Sequence, residues 1–220
     1  MPRTPVELAK RFTPTQIDLL EKLNRRDREH LLRPDPPVPG LVMPAAWSDD
    51  ELAFSPFPLT WSAAEEYPKA IVVDQAFQAF GAYENGRLVR WGPVSTGRRD
   101  TPTPKGTFSL TWRSRSRRST DNAAWLLAWY FNFVNERGVS FHQFELPGYA
   151  ASHACVRLLE RDAQWLYNWG EQWTLDDTRR NVVTAGTPVL IVGVPHYTGL
   201  PPWTDLNLLS SPIALPETIR

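Results

Sequence analysis

The chain has 220 residues, of which 42% are hydrophobic and 22% are charged, and its formal net charge is zero. This balance is typical of a globular protein with a real hydrophobic core, and it argues against a disordered chain and against a general nucleic-acid binder. The single cysteine excludes an internal disulfide, and no apolar run is long enough to predict a membrane span.

Residues 1–35 predict a small helical segment. Thr13-Pro14-Thr15-Gln16 combines a cap residue, a proline at the first helical position and a glutamine at the third, which together form a capping box. Ile17, Leu20 and Leu23 then fall on one helical face. Because so short a helical segment buries too little apolar surface to fold alone, we expect it to pack on the main domain.

Two proline-rich stretches flank the main domain, residues 36–68 and residues 195–220. Proline lacks the N–H donor that a helix needs, so both stretches predict extended chain. Trp47 and Trp61 indicate that the first stretch lies against the main domain as a packed connector. We predict no site in the C-terminal tail.

Residues 69–194 carry the patterns of a mainly β domain with a few helices. Residues 70–73 are a buried-strand signal, and Asn85-Gly86 marks a hairpin turn. Residues 160–173 predict a helix, with Gly170 as a plausible stop. We therefore expect a mixed sheet or β-sandwich, with the cysteine-bearing loop at one edge and one helix after it.

A basic run and an aromatic run occupy the middle of this domain. Residues 112–118 contain four arginines, and such runs normally indicate a solvated loop or edge strand. The alternative is a cationic wall that faces the carboxylates of an anionic peptide. Residues 121–133 are rich in aromatic side chains, and packing alone would explain most of them.

The candidate chemistry lies in Ser152-His153-Ala154-Cys155-Val156-Arg157. A thiol performs acyl chemistry only as thiolate, and a neighbouring imidazole and positive charge favour that form. A free cysteine is often a small core residue, but the polar neighbours of this one would each need a partner if they were buried. His142 lies upstream as a second imidazole. The pattern therefore favours a reactive thiol.

This stretch resembles the active-site signature of the L,D-transpeptidases, the YkuD-type cysteine enzymes of peptidoglycan. Their pattern is a His, a spacer, Ser/Thr-His-Gly-Cys, a hydrophobic residue and Arg or Asn. The positions that fit are His142, Ser152, His153, Cys155, Val156 and Arg157. The hairpin, Ser95-Thr96-Gly97 and the Thr-Pro block at residues 101–108 also follow the family order, so the resemblance covers about residues 69–194.

Three features depart from the family pattern. Ala154 stands where Gly is usual, and Gln143 follows His142 where Gly is usual. The spacer between His142 and Cys155 is also short. Because Gly accepts a backbone angle that Ala resists, Ala154 is the departure with the clearest physical consequence.

The resemblance implies acyl transfer through a thioester on Cys155, with His142 as the base and the carbonyl of Gln143 orienting its ring. His153 and Arg157 would bind substrate or shape the loop. The positions expected to contact the substrate or its oxyanion are Ser152, His153, Ala154, Arg157 and Gln143. To meet Cys155, His142 must be brought back by a turn at residues 146–149, where Pro147-Gly148 suits a turn.

The implied partners are peptidoglycan peptide stems, as donor and as acceptor, or a lipoprotein lysine as acceptor. Cross-linking, lipoprotein anchoring and exchange with a D-amino acid stay open. So do an L,D-carboxypeptidase or amide hydrolase, and an inactive wall-binding protein of the same fold. We expect no cofactor and no metal; the rival zinc site, from His142, His153, Cys155 and His196, has no established spacing.

The sequence gives a mixed indication of where the protein works. Met1-Pro2-Arg3-Thr4 leads directly into polar sequence, unlike a signal peptide. The resemblance nevertheless implies the periplasm or the cell wall. A signal removed ahead of Met1 would reconcile the two.

Overall fold

The computed structural model describes residues 4–33, 40–205, 208 and 211–219. These residues form a mainly β fold with a few helices, as the sequence predicts. The helices are α1 (Pro5–Arg11), α2 (Pro14–Asn24), α3 (Arg28–Leu31) and α4 (Glu160–Trp169). The strands are β1 (Ala70–Asp74), β2 (Ala79–Glu84), β3 (Arg87–Ser95), β4 (Gly106–Ser109), β5 (Arg113–Arg118), β6 (Leu126–Val134), β7 (Val139–Gln143), β8 (Val156–Leu158), β9 (Thr174–Leu175), β10 (Val182–Thr184) and β11 (Pro188–Val192).

Nine of these strands form one mixed sheet in the order β4-β11-β1-β2-β3-β8-β7-β6-β5, and β9 pairs with β10 separately. The β1–β11 and β7–β8 pairs are parallel, and the other pairs of the large sheet are antiparallel. Strand β8, which follows the cysteine, lies between β3 and β7. The expectation of a cysteine loop at the sheet edge was therefore wrong, because the long connection after β7 returns the chain to the middle of the sheet.

Two apolar clusters hold the sheet, one on each side. Ile71 and Val73 of β1 belong to the first cluster, which also contains the inner face of α4. The alternate residues Ala70 and Val72 belong to the second cluster. Strand side chains alternate between faces, so β1 is covered on both sides, and its residues are fully apolar up to Asp74.

The second cluster is completed by chain from outside the strands. Phe57 and Trp61 of the connector are buried there, and Ile219 near the C-terminus packs with them. Trp61 Nε1 also donates to the carbonyl of Pro216 at 2.7 Å. The described parts of both proline-rich stretches thus contact the domain. The segment boundaries stay predictions, and the prolines of residues 34–39 lie outside the described residues.

Helix α2 packs on β3, and the turn between α2 and α3 bonds to the chain that leads to the cysteine. The predicted capping box is present: Thr13 Oγ1 accepts from Gln16 N at 3.2 Å, and Gln16 Oε1 accepts from Thr13 N at 3.0 Å. Asp27 N donates to the Leu146 carbonyl at 3.0 Å, and Asp27 Oδ2 accepts from Leu146 N at 2.8 Å. These two hydrogen bonds fix the middle of the connection between β7 and β8.

The structure contains the predicted hairpin turn and places the end of the predicted helix. Asn85 and Gly86 have φ of 46° and 77°, as a type I′ hairpin turn requires. Helix α4 ends at Trp169 and not at residue 173, because Gly170 takes an extended conformation with φ −66° and ψ 148°. A Cβ at Gly170 would lie 2.6 Å from Leu110 Cδ1, so close packing also requires glycine there.

Candidate active site

The parallel register of β7 and β8 assembles the candidate site. His142 pairs with Arg157, and the same register places Ser140 opposite Cys155. Ser140 Oγ lies 3.5 Å from Cys155 Sγ. Residues opposite each other in a strand pair share a face, so these four side chains lie on one side of the sheet. The residues between them on each strand are fully buried in the core.

The connection that makes this pairing possible spans residues 144–155. Gly148 has φ 92°, the positive angle expected at the predicted turn. A single tight turn would give antiparallel strands, whereas β7 and β8 are parallel. The connection therefore crosses back to the start of β7, and Asp27 ties it to the N-terminal helices on the way.

His142 is almost fully buried, and its ring has one defined partner. Nδ1 lies 2.9 Å from the carbonyl oxygen of Gln143. Because a carbonyl only accepts, Nδ1 carries the hydrogen and Nε2 of the neutral ring is left as an acceptor. The pKa of His142 is lowered to about 4, mainly by burial; the Gln143 hydrogen bond opposes this shift, and the charge of Arg157 contributes to it. At neutral pH the ring is therefore an uncharged base.

Cys155 is partly buried, and its sulfur has two polar neighbours. Besides Ser140, the carbonyl oxygen of Gly138 lies 3.9 Å from Sγ. Burial raises the pKa of the thiol; contacts with Ser140 oppose this rise, and the charge of Asp121 adds to it. The charge of Arg157 favours the thiolate, as the sequence predicts, but burial outweighs it in the free protein. At neutral pH the site holds a thiol beside a neutral imidazole.

Ser152 anchors the loop that carries the thiol. Its Oγ donates to the carbonyl of Cys155, and its N–H donates to the Thr96 carbonyl at 3.0 Å. Gly97 forms a parallel bridge with Ser152. A Cβ on Gly97 would lie 2.2 Å from the Thr101 carbonyl oxygen, so only glycine fits. The two sequence blocks of the resemblance thus meet in space, and the first supports the second.

Ala154 takes the backbone angle that its position demands. Its φ is 84°, in the region that favours glycine, and its methyl group is buried in the core. Thr103 Oγ1 donates to its carbonyl at 2.8 Å. Left-handed turns of this kind can aim successive N–H groups at an anion, so the N–H groups of Ala154 and Cys155 stay candidates for an oxyanion hole.

The β5–β6 loop, residues 119–125, brings two residues of the predicted aromatic run, Asp121 and Trp125, to His153. Asp121 Oδ2 lies 3.0 Å from His153 Nδ1. The ring of Trp125 packs edge-on against both His153 and Phe144, with centroids 5.5 Å and 5.6 Å apart. This loop therefore covers the side of the site that faces solvent.

Two cavities meet at Cys155. The first, the base cavity, lies toward the end of β7; its lining includes His142, Phe144, Ser152, Trp125 and Arg157. The second, the arginine cavity, lies toward the start of β7; its lining includes Trp112, Arg117, Tyr130, Arg137 and Gly138. Cys155, His153 and Asp121 line both. A substrate bound across the thiol can extend both ways.

Residues 68–191 match the L,D-transpeptidase catalytic domain (YkuD), which is more than half of the chain. The chain belongs to the L,D-transpeptidase catalytic domain family. The matched range contains all seven site residues that the sequence proposed, from His142 to Arg157. It also contains Asp121, Trp125 and Ser140 of the structure-derived site.

Several solved L,D-transpeptidases are similar to this chain. One from Stackebrandtia nassauensis is 23% identical, with 60% of this chain and 59% of that chain covered and a TM-score of 0.49. One from Mycobacterium tuberculosis H37Rv is 23% identical, with 57% of each chain covered and a TM-score of 0.45. One from Mycobacterium smegmatis is 20% identical, with 57% and 58% covered and a TM-score of 0.44. This chain thus spans under three fifths of those structures, and the comparison with curated proteins found no match.

Three residues of this candidate site were not proposed as site residues from the sequence. Ser140 was detectable, because it lies two positions before His142 and a strand repeats its face every two residues. Asp121 and Trp125 carry no such local signal, since only the fold of the β5–β6 loop brings them to His153.

Among the described residues, no group of three His, Cys, Asp or Glu side chains is arranged to hold a metal ion. Of the helices in the described ranges, none has the length and apolar character to cross a membrane.

Proposed function

We propose that this chain is a cysteine acyltransferase that acts on the peptide stems of peptidoglycan through a thioester on Cys155. The observation that carries the proposal is the β7–β8 register. It sets Cys155 and His142 on one face and in one cavity, with Nε2 of His142 left as an acceptor. Membership of the L,D-transpeptidase family supplies the substrate class.

Acylation begins from a neutral pair. Cys155 Sγ attacks the carbonyl carbon of the donor peptide bond while its proton passes to His142 Nε2. The carbonyl oxygen becomes an oxyanion, and the N–H groups of Ala154 and Cys155 donate to it. The intermediate then expels the terminal residue of the donor as an amine, which takes the proton from His142. A thioester on Cys155 remains.

Deacylation repeats these steps with a second nucleophile. An acceptor amine gives a proton to His142 Nε2 and attacks the thioester carbon, and the thiolate leaves and regains the proton. The Gln143 carbonyl holds the ring in the required tautomer throughout. The acceptor would be the amine of another stem, a lipoprotein lysine or a D-amino acid; attack by water would make the enzyme an L,D-carboxypeptidase or amide hydrolase.

The remaining site residues support this reaction. Ser152 holds the carbonyl side of Cys155, and His153 stands at the junction of the two cavities. Arg157 lies over the Phe144 ring at 4.6 Å and donates to the Glu145 carbonyl at 3.4 Å. We infer that Arg157 shapes the wall of the base cavity, and that His153 contacts the substrate. The reaction itself belongs in the periplasm or cell wall.

The test is mass spectrometry of a tetrapeptide stem after incubation with the protein, alone and with a second stem or a D-amino acid. Joined or exchanged products show transfer, and a shortened stem shows hydrolysis. A transient mass increase on the wild-type protein, absent from Cys155→Ala, locates the thioester. A folded wild-type protein that neither acquires the adduct nor changes any stem would overturn the proposal.

A further inference from the structure

The basic run of the sequence forms a regular arrangement on edge strand β5. Its alternate arginines Arg113, Arg115 and Arg117 each lie over aromatic rings of neighbouring elements. Arg115 lies 4.1 Å from the Trp129 ring centroid. These side chains are therefore held by cation–π contacts and are not merely solvated, which neither reading of the sequence foresaw.

Arg117 is the member of this series that faces the candidate site. Its guanidinium carbon lies 5.0 Å from the Trp112 ring centroid and 5.3 Å from that of Tyr130. Those two rings are themselves stacked at 5.0 Å, and Trp112 Nε1 donates to Asn135 Oδ1 at 3.0 Å. The guanidinium is thus fixed in place. Within the described chain it has no carboxylate or carbonyl partner, so its N–H donors are free for a ligand.

Arg137 lines the same cavity from the turn before β7, and it too makes no ion pair with the described residues. Arg118 is a third lining arginine, and it donates to the Ala123 carbonyl at 2.8 Å. The acidic lining residues are Glu136 and Asp121, and Asp121 already faces His153. Positive charge therefore exceeds negative charge in a cavity that contains Cys155.

We propose that Arg117, together with Arg137, binds a carboxylate of the peptide substrate in the arginine cavity, and so sets which way the peptide lies across Cys155. This inference rests on the proposed function and deepens it. A guanidinium offers two parallel N–H donors that match a carboxylate, and aromatic contacts preorganise that fork. The base cavity, in contrast, takes the part of the substrate that faces His142.

Two carboxylates of a stem can supply this ligand. One is the C-terminal carboxylate of the residue that leaves during acylation. The other is a carboxylate within the stem, before the scissile bond. Both have the same chemistry toward Arg117, but they predict opposite directions of the peptide, so peptides amidated at one position or the other distinguish them.

The test measures binding in a protein that cannot react, so that it does not depend on turnover. Calorimetry on Cys155→Ala would compare a free tetrapeptide with the same peptide amidated at its C-terminus or within the stem. Each peptide is measured again after Arg117→Met, Arg117→Lys or Arg115→Met. The last is the matched control: it removes an arginine of the same strand with the same kind of aromatic contact, outside the cavity.

We expect Arg117→Met to weaken binding of the free peptide tenfold to a hundredfold, as loss of a hydrogen bond to a charged group implies. Arg117→Lys should weaken binding less, because lysine keeps the positive charge but lacks the two parallel N–H donors of the guanidinium. Arg115→Met should change binding less than threefold. For the peptide whose amide removes the recognised carboxylate, Arg117→Met should have no further effect, which also shows that the variant is folded.

Three results would overturn the inference: no binding of the free peptide, equal losses from Arg117→Met and Arg115→Met, or equal losses for free and for both amidated peptides. Failure of the proposed function has a different result: a wild-type protein that leaves every stem unchanged. If that protein still binds the peptide carboxylate through Arg117, the carboxylate site is supported although the proposed reaction is not.

Discussion

Two regions approach Cys155, and they differ in what holds them. The β7 strand brings His142, which is 4% exposed and is fixed by a carbonyl one residue away. The β5–β6 loop brings Asp121 and Trp125 to His153, whose side chain is 28% exposed and whose carboxylate partner lies 32 residues away. One histidine is thus part of the core, and the other is part of a surface contact between two loops.

In the proposed mechanism, this difference matches the two roles given to the histidines, general base for His142 and substrate contact for His153. A buried ring with one fixed partner has one tautomer and one orientation, as a general base requires. A half-exposed ring held by an exposed carboxylate can exchange that partner for a substrate group. Surface ion pairs contribute little to stability, so such an exchange costs little. We therefore expect changes in the β7 region to affect turnover and stability, and changes in the loop to affect substrate affinity.

The largest expected effect is the loss of turnover on removing the nucleophile or its base. Cys155→Ala should abolish acyl transfer, and His142→Ala should reduce kcat at least a thousandfold, because thiol and imidazole act as one unit. The double variant should be no worse than Cys155→Ala alone. Stem turnover by mass spectrometry measures all three. A His142→Ala protein with full activity would remove His142 from the mechanism.

The same contrast explains what the sequence could predict. The strand patterns, the Asn85-Gly86 turn, the Thr13 capping box and the cysteine signature are local, so their elements were predicted correctly. The position of β8 in the middle of the sheet and the Asp121–His153 contact are not local, because they depend on how distant segments pack. The protonation state of the thiol could not be predicted for another reason. It is set mainly by burial, and burial is a property of the fold.

The second effect is a loss of stability in acid that originates at His142. Its pKa is about 6.5 in the unfolded chain and about 4 in the fold, so the unfolded chain binds the proton first as pH falls. The contribution of His142 to the free energy of unfolding should therefore be fully present above pH 6.5 and should be lost as the pH falls toward 4. Each pH unit is worth about 1.4 kcal/mol, which gives a loss of about 3 kcal/mol from this group.

Urea unfolding of wild type and His142→Gln across this pH range isolates that contribution, because the other titrating groups are common to both proteins. Between pH 6.5 and pH 4, the free energy of unfolding should fall by about 3 kcal/mol more in the wild type than in His142→Gln. Parallel curves would show that the buried ring is not the source of the acid sensitivity.

The third effect concerns the loop. His153→Ala should raise the KM for a stem peptide about tenfold and change kcat little, since it removes about one hydrogen bond to the substrate. Asp121→Asn should move alkylation of Cys155 by iodoacetamide to lower pH, because the Asp121 charge adds to the effect of burial in raising the pKa of the thiol. His153→Ala keeps that charge and should not. A kcat collapse in His153→Ala would instead make His153 the activating partner.

The smallest effect is expected at Ala154, where the loop meets the core. Ala154→Gly relieves a positive φ that costs an L residue about 1–2 kcal/mol. The change also loses a buried methyl group, worth about 0.8 kcal/mol, and adds about 0.5–1 kcal/mol of backbone entropy to the unfolded chain. These contributions nearly cancel, so the free energy of unfolding should change by less than about 1 kcal/mol, with turnover kept within a few-fold.

Arg179→Gly is a useful control for this near-cancellation, because Arg179 also has a positive φ, of 57°, but is exposed. It relieves strain without emptying a buried position, so it should be the more stabilising change by roughly the value of one methyl group. Thermal and urea unfolding of both variants against wild type measure the difference. A loss above 2 kcal/mol in Ala154→Gly, with Arg179→Gly neutral, would mean that the Ala154 methyl group holds the cysteine loop in place and that its departure from glycine is a packing requirement.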